Sequence, residues 1–160
     1  MKKKVLFSVA GGVIVSLTVG FIGSQVTQTT VNTWYTTLEK PFFNPPNWLF
    51  APVWTVLYLL MGIAVGRVWS YGIHHRWVKS AVYHFGFQLL FNGLWSLVFF
   101  GLKNPVWAMV VILILLFLIV RTIQQFRIVD LLATRLLFPY LIWVCFAGFL
   151  NAGIVFLNFL

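Results

Sequence analysis

Charged residues are so sparse in this chain that they act as punctuation. Eleven Lys and Arg and two acids divide the 160 residues into five uncharged, largely apolar runs: Val5–Leu38, Pro41–Gly66, Ser80–Leu102, Asn104–Val120 and Leu136–Leu160. Charged residues are 8% and hydrophobic residues 61% of the chain, about a third of the charged share usual in a soluble domain. A helix needs about 20 apolar residues to cross a bilayer, with about 17 as the lower limit, and the shortest run has 17. The expected architecture is therefore an all-α integral membrane protein, a single domain over residues 1–160 built as a five-transmembrane-helix bundle. A β-barrel would need strands alternating apolar and polar residues in units of about ten, and these runs do not alternate.

The spans are expected at about residues 5–24, 48–69, 80–101, 105–123 and 136–156. The first helix is placed to end at Ser24 because Gln25, Thr27, Gln28, Thr29, Thr30 and Asn32 are polar enough to leave the hydrocarbon. Arg121 closes the short fourth run and reaches the interface along its aliphatic stem. The amino terminus has the basic start and apolar run of a signal peptide but no convincing small-x-small cleavage site, so it is read as an uncleaved first helix.

Between spans one and two lies Trp34-Tyr35-Thr36-Thr37-Leu38-Glu39-Lys40-Pro41-Phe42-Phe43-Asn44-Pro45-Pro46-Asn47-Trp48. Three prolines in six residues exclude a helix interior, because each lacks an N–H and biases the residue before it away from helix. This segment is expected to be a loop, and its aromatic rings suit a lid over an apolar ligand better than a short polar connector.

Nine of the eleven basic residues fall on one side of the expected topology: Lys2–Lys4, Arg67, Arg76, Lys79, Arg121, Arg127 and Arg135. Lys40 and Lys103 fall on the other. The positive-inside rule then predicts a cytoplasmic amino terminus, an outward-facing aromatic loop and an outward carboxyl terminus. The formal charge of +9 is mostly a topology signal. Nucleic acid is excluded as a partner, since these residues are spread over short loops with no soluble domain to dock a duplex.

The chain offers little for acid/base or metal chemistry. Its only acids, Glu39 and Asp130, lie in loops on opposite sides, so there is no carboxylate dyad and no carboxylate within a span to couple transport to an ion. His74, His75 and His84 have no Cys, Asp or Glu at ligand spacing, and no metal is expected; the His74-His75 pair reads as a solvated surface feature. The lone Cys145 lies in mid-span and reads as a small packing residue.

Polar and aromatic residues within the spans carry more. Gln88, Asn92, Trp95, Ser96 and Phe99 form one stripe of span three. Span five repeats the pattern with Tyr140, Trp143, Ala147, Leu150, Asn151 and Ile154, and span two adds Trp54, Tyr58 and Met61. Three helices thus offer rings with a few hydrogen-bonding groups under an aromatic loop, as a pocket for a large, flat, mostly apolar ligand requires. The competing reading is structural: buried amides serve as glue between membrane helices at about 1 kcal/mol or less, and Trp34, Trp48, Trp69, Trp77 and Trp107 sit near span ends where aromatic belts form. Ser8, Gly12, Ser16, Gly20 and Ser24 recur every four residues as a packing ridge, either within the bundle or between protomers. Gly62, Gly66, Gly86 and Gly93 offer further seams.

The order W-Y-x-x-L-x-K-P-x-x-x-P-P-x-W from Trp34, then Pro52-Val53-Trp54-x-x-x-Tyr58, Gln88-x-x-x-Asn92-x-x-Trp95, Phe99-Phe100-Gly101 and Pro139-Tyr140-Leu141-x-Trp143-x-x-Phe146-Ala147-x-x-Leu150-Asn151, resembles the tryptophan-rich sensory protein and translocator protein family, the peripheral benzodiazepine receptors. The matches run from about Trp34 to Asn158. The resemblance implies a membrane receptor for porphyrins such as protoporphyrin IX, with no covalent cofactor, and in some members for sterols and benzodiazepine-type ligands. It implies ligand contacts from Trp34, Tyr35, Pro45, Trp54, Tyr58, Gln88, Asn92, Trp95, Phe99, Trp107, Trp143, Ala147 and Leu150, and a homodimer in a bacterial cell membrane. Two functions follow as expectations: binding or sensing with light- or oxygen-dependent breakdown of the porphyrin, for which Trp54 and Trp143 are the redox-active candidates, or uncoupled translocation. A sterol pattern that some members carry at the end of the fifth helix needs a tyrosine and a basic residue, and Asn151–Leu160 has neither. The loose form recurs at Val31-Tyr35-Lys40 and Val68-Tyr71-Arg76, which shows how weak it is.

Overall fold

A computed structural model describes residues 2–160, helical nearly throughout and with no strand among the described residues. Seven α-helices follow in order: α1 (Lys2–Thr30), α2 (Trp34–Thr37), α3 (Phe50–Ser70), α4 (Arg76–Ser96), α5 (Pro105–Val129), α6 (Leu131–Leu136) and α7 (Phe138–Phe159). The five long ones form a closed ring in the order α3, α1, α4, α5, α7. Successive long helices alternate direction, so the lid loop, the α4–α5 turn and the carboxyl terminus gather at one end and most basic residues at the other.

Four segments are long and apolar enough to cross a membrane: residues 3–30, 47–70, 105–129 and the α6–α7 stretch 131–159. The remaining long helix, α4, has 21 residues but carries Arg76, Lys79 and His84 and an inward stripe of amides that lowers its hydropathy. Gln88 and Asn92 are 1% and 3% exposed, so the amides are spent inside the bundle.

Several boundaries differ from expectation, each for a local reason. Helix α1 runs on to Thr30, 29 residues in all and about 43 Å at 1.5 Å per residue. Leaving the hydrocarbon does not end a helix. The threonines of its last turns fold their hydroxyls onto carbonyls three or four residues back, as Thr27 does to Gly23 and Thr29 to Val26, and Thr27 Oγ1 lies 3.0 Å from Ser96 Oγ of α4. Helix α5 passes Arg121 and Arg127 and ends only at Asp130. That carboxylate caps α6 by accepting from the Ala133 N–H at 2.9 Å and pairs with Arg67 of α3 at 2.7 Å. Burial alone would raise the Asp130 pKa, but the Ala133 N–H and the Arg67 guanidinium outweigh it and hold the carboxyl below its usual value. The loop expected between spans four and five is thus mostly helix, broken at Asp130 and again before Pro139.

The ridge on α1 packs inside the protomer. A Cβ on Gly12 would lie 2.4 Å from the Gly62 carbonyl oxygen, and one on Gly66 would lie 2.3 Å from Val9 Cα. Backbone meets backbone along the α1–α3 seam, and glycine is what allows the approach.

Candidate functional site

At the lid end, aromatic side chains from α3, α4, α7 and the loop converge. Helix α4 continues into a π-helical turn, Leu97–Gly101, whose extra residue per turn accompanies the inward placement of both consecutive rings, Phe99 and Phe100, 2% and 6% exposed. Their centroids are 4.8 Å apart, and Trp95 lies 5.3 Å from Phe99. Helix α7 presents Trp143, Phe146, Ala147, Leu150, Asn151 and Ile154, with Trp143 5.3 Å from Phe146. From α3, Phe50 and Trp54 complete the wall, Phe50 lying 6.3 Å from Trp143.

The lid closes this cluster. Tyr35, on the single turn α2, is 1% exposed and sits 5.7–6.4 Å from Phe50, Phe99 and Phe100. Its hydroxyl donates to Asn44 Oδ1 at 2.6 Å, and burial pushes the phenol above its ordinary value, so it stays a donor. Lys40 lies over the Tyr35 ring, 5.1 Å from the centroid. The far side of the lid is fastened to α7: Glu39 N–H donates to Asn158 Oδ1 at 2.9 Å, Asn158 Nδ2 donates back to the Glu39 carbonyl at 2.8 Å, and Pro41 lies against Gly153. Phe43 packs 6.2 Å from Phe146. The enclosed cavity is about 20 Å³, room for about one water.

Of the thirteen residues the resemblance carried over, seven line this cavity: Tyr35, Trp54, Trp95, Phe99, Trp143, Ala147 and Leu150. Three others form a separate hydrogen-bonded network. Tyr58 donates its hydroxyl to Asn92 Oδ1, Asn92 Nδ2 donates to Tyr140 Oη at 3.0 Å, and Tyr140 donates to Gln88 Oε1 at 2.7 Å. Gln88 Nε2 ends the chain on Met61 Sδ at 3.9 Å. This network ties α3, α4 and α7 together with each hydroxyl and amide partnered, so Tyr58, Gln88 and Asn92 act here as the glue between helices. Trp34 packs behind the wall, 5.8 Å from Phe99. Pro45 is half-buried in the lid, its carbonyl accepting from Asn44 Nδ2. Trp107 is 65% exposed on the outer face of α5, at a belt position and away from the cavity.

Phe50, Phe100, Phe146, Asn151 and Ile154 line the cavity without having been among the thirteen. Helical spacing would have found most of them. Phe50 is one turn before Trp54, Phe146 three residues after Trp143, and Asn151 and Ile154 continue the α7 stripe. Phe100 needed the π-turn, which no local pattern announces.

The site's polar groups are few and mostly committed. Asn151 accepts from Trp95 Nε1 at 3.2 Å and donates to the Pro105 carbonyl at 2.8 Å. Trp143 Nε1 is buried with no acceptor among the described residues. Arranged this way, the site can stack a planar ring; it holds no acid, base or nucleophile, and no His/Cys/Asp/Glu group able to hold a metal occurs among the described residues.

Comparison with known proteins matches the same stretch. The profile of the TspO/MBR family covers residues 12–157. The tryptophan-rich protein TspO of Chlorobaculum tepidum is 45% identical over 142 residues, 89% of this chain and 90% of the relative. That of Archaeoglobus fulgidus is 43% identical over 154 residues, 96% and 98% of the two chains. The translocator protein of Bos taurus is 37% identical over 135 residues, 82% of this chain and 79% of its own. This multi-span membrane protein belongs to the TspO/MBR family.

Proposed function

We propose that the protein is a membrane receptor for flat, largely apolar ring ligands of the porphyrin class, bound between α3, α4 and α7 under the Trp34–Asn47 lid. The observation that carries this reading is the convergence of Trp54, Trp95, Trp143, Phe50, Phe99 and Tyr35 on one cavity, with the buried N–H of Trp143 left without an acceptor among the described residues. Stacking area with sparse polar orientation is what such a ligand needs. Ligands of this size take a pocket of about 300–1,000 Å³, so binding requires the lid to lift and Tyr35 to leave the cluster. Benzodiazepine-type ligands share the same chemistry; a sterol has no planar aromatic face to stack.

Illumination of a bound porphyrin would let an electron pass from Trp54 or Trp143 to the excited ring and on to dioxygen as superoxide, leaving an oxidised indole beside the ligand. Breakdown of the ligand would complete the cycle: the oxidised indole takes an electron back from the ground-state ring, and superoxide combines with the resulting porphyrin cation radical and cleaves a methine bridge to two carbonyls. Porphyrin and dioxygen together thus give the ring-opened product, and the tryptophan is restored. The protein would lie in a bacterial cell membrane with its basic end cytoplasmic and the lid outside. If it forms a homodimer, another face must serve, because the α1 ridge is already used within the protomer.

The test is titration of purified protein with protoporphyrin IX, following the porphyrin Soret band and tryptophan fluorescence. Saturable binding with quenching supports the reading, and absence of both rejects it. A second reading, uncoupled translocation, is favoured by the relatives that carry the name translocator protein. Porphyrin flux into liposomes, measured beside binding on the same preparation, separates the two.

A further inference from the structure

At the end opposite the lid a second cleft opens between the start of α1, the end of α3 and the α5–α6 turn. It is lined by Lys4, Val5, Arg67, Ser70, Tyr71 and Asp130, with a cavity volume of about 360 Å³, far larger than the closed aromatic site. The porphyrin reading leaves this cleft without a role.

Its charges are not balanced internally. The Asp130 carboxylate is fully engaged, taking Arg67 Nη2 at 2.7 Å, the Tyr71 hydroxyl at 3.3 Å and the Ala133 N–H at 2.9 Å. Ser70 spends its hydroxyl on the Arg67 carbonyl at 2.6 Å. Arg67 gives Asp130 one of its five N–H donors, its Nε–H has no acceptor among the described residues, and its side chain is 31% exposed. Lys4 is exposed at the cleft mouth. Two cations against one already satisfied carboxylate leave the cleft net positive, with spare guanidinium donors suited to paired oxygens.

We propose that this cleft binds a phosphate group, and that its source is the headgroup of an anionic phospholipid. The location favours a lipid. The cleft lies at the basic end of the helices, where the chain leaves the hydrocarbon, and Val5 brings an apolar side chain beside the charged ones, so a headgroup can enter while its acyl chains remain along α1 and α3. Basic pockets between membrane helices on the side where Lys and Arg gather take anionic headgroups on the same principle. The proposal is independent of porphyrin binding.

The test measures the thermal stability of detergent-solubilised protein during titration with phosphatidylglycerol, phosphatidylcholine, glycerol 3-phosphate and inorganic phosphate. Three proteins are compared: wild type, Lys4→Glu and Lys103→Glu. Lys4→Glu reverses the cleft's exposed cation, and Lys103→Glu makes the same charge change at the other end of the molecule. We expect saturable stabilisation of wild type by phosphatidylglycerol at concentrations where phosphatidylcholine has little effect, a midpoint at least fivefold weaker in Lys4→Glu, and a wild-type midpoint in Lys103→Glu. Stabilisation by glycerol 3-phosphate or inorganic phosphate matching the lipid's, and lost in Lys4→Glu, would uphold the phosphate site and overturn the lipid as its source. Equal weakening in both variants, or no difference between wild type and Lys4→Glu, would overturn the site.

Discussion

The lid's attachment to α7 gives a sharp handle on access to the aromatic site. Asn158→Ala removes the two hydrogen bonds that its amide makes with the Glu39 backbone, at 2.9 and 2.8 Å. Both are exposed, so each is taken at the lower end of the net range, about 0.5–1 kcal/mol. Together they contribute about 1–2 kcal/mol to the closed lid, and at about 1.4 kcal/mol per tenfold change this corresponds to ~5- to 30-fold faster release if lid opening limits escape. Gly153→Ala should act in the same direction, because its Cβ would sit 2.9 Å from Pro41 Cγ and push that ring outward. The assay is stopped-flow dissociation of protoporphyrin IX into excess detergent or albumin, with Thr55→Ala as control, whose hydroxyl bonds only the Ala51 carbonyl of its own helix. Helical content and thermal midpoint report whether each variant is folded. Two folded variants with wild-type release rates would refute the lid as the gate and place the exit between helices.

Three further outcomes are expected. Trp54→Phe and Trp143→Phe keep most of the stacking area, so porphyrin binding should stay within about tenfold, or about 1.4 kcal/mol, while light-dependent conversion of the bound ring falls away; an absorbance time course under illumination reads both, and equal conversion by all three proteins would remove the tryptophans' chemical role. Asn92→Ala strands the Tyr58 hydroxyl and removes the donor to Tyr140, which keeps its bond to Gln88, and should lower stability by about 1–3 kcal/mol while changing porphyrin affinity by less than threefold, whereas a large affinity loss at unchanged stability would make Asn92 a ligand contact. A reporter fused after Leu160 should be extracytoplasmic and one inserted between Tyr71 and Arg76 cytoplasmic, and the reverse result would overturn the orientation read from the basic residues.

The bundle was legible because burying backbone in lipid leaves helices and closed barrels as the only options, and uncharged runs mark where the helices lie. The ends of helices were less legible. Charge and polarity report depth in a bilayer, whereas a helix ends where capping ends it, so α1 outran Ser24 and α5 outran Arg121 to stop at Asp130. The stripes on α3, α4 and α7 identified the inward faces. They did not say which part of a face meets cavity and which meets neighbour, because Asn92 and Trp95 share a stripe yet lie in different environments, one closed in a hydrogen-bonded network and the other on the cavity wall. That division depends on how far along the bundle the helices diverge, a property of the whole assembly. Trp107 illustrates the same limit, matching by motif while its ring points away from the site.

The most direct test of the central claim is to fill the aromatic cavity and measure what binds. Ala147 lines it, 8% exposed and one turn from Trp143, and the closed cavity of about 20 Å³ leaves no room for a ring there without displacing the ligand's position. Equilibrium titration of wild type and Ala147→Phe with protoporphyrin IX, on preparations whose thermal midpoints show both to be folded, decides the matter; the smaller Ala147→Val serves if the phenylalanine does not fold. Loss of affinity by tenfold or more in a folded variant is the predicted result. Unchanged affinity and unchanged tryptophan quenching would place the porphyrin elsewhere on the protein and contradict the account.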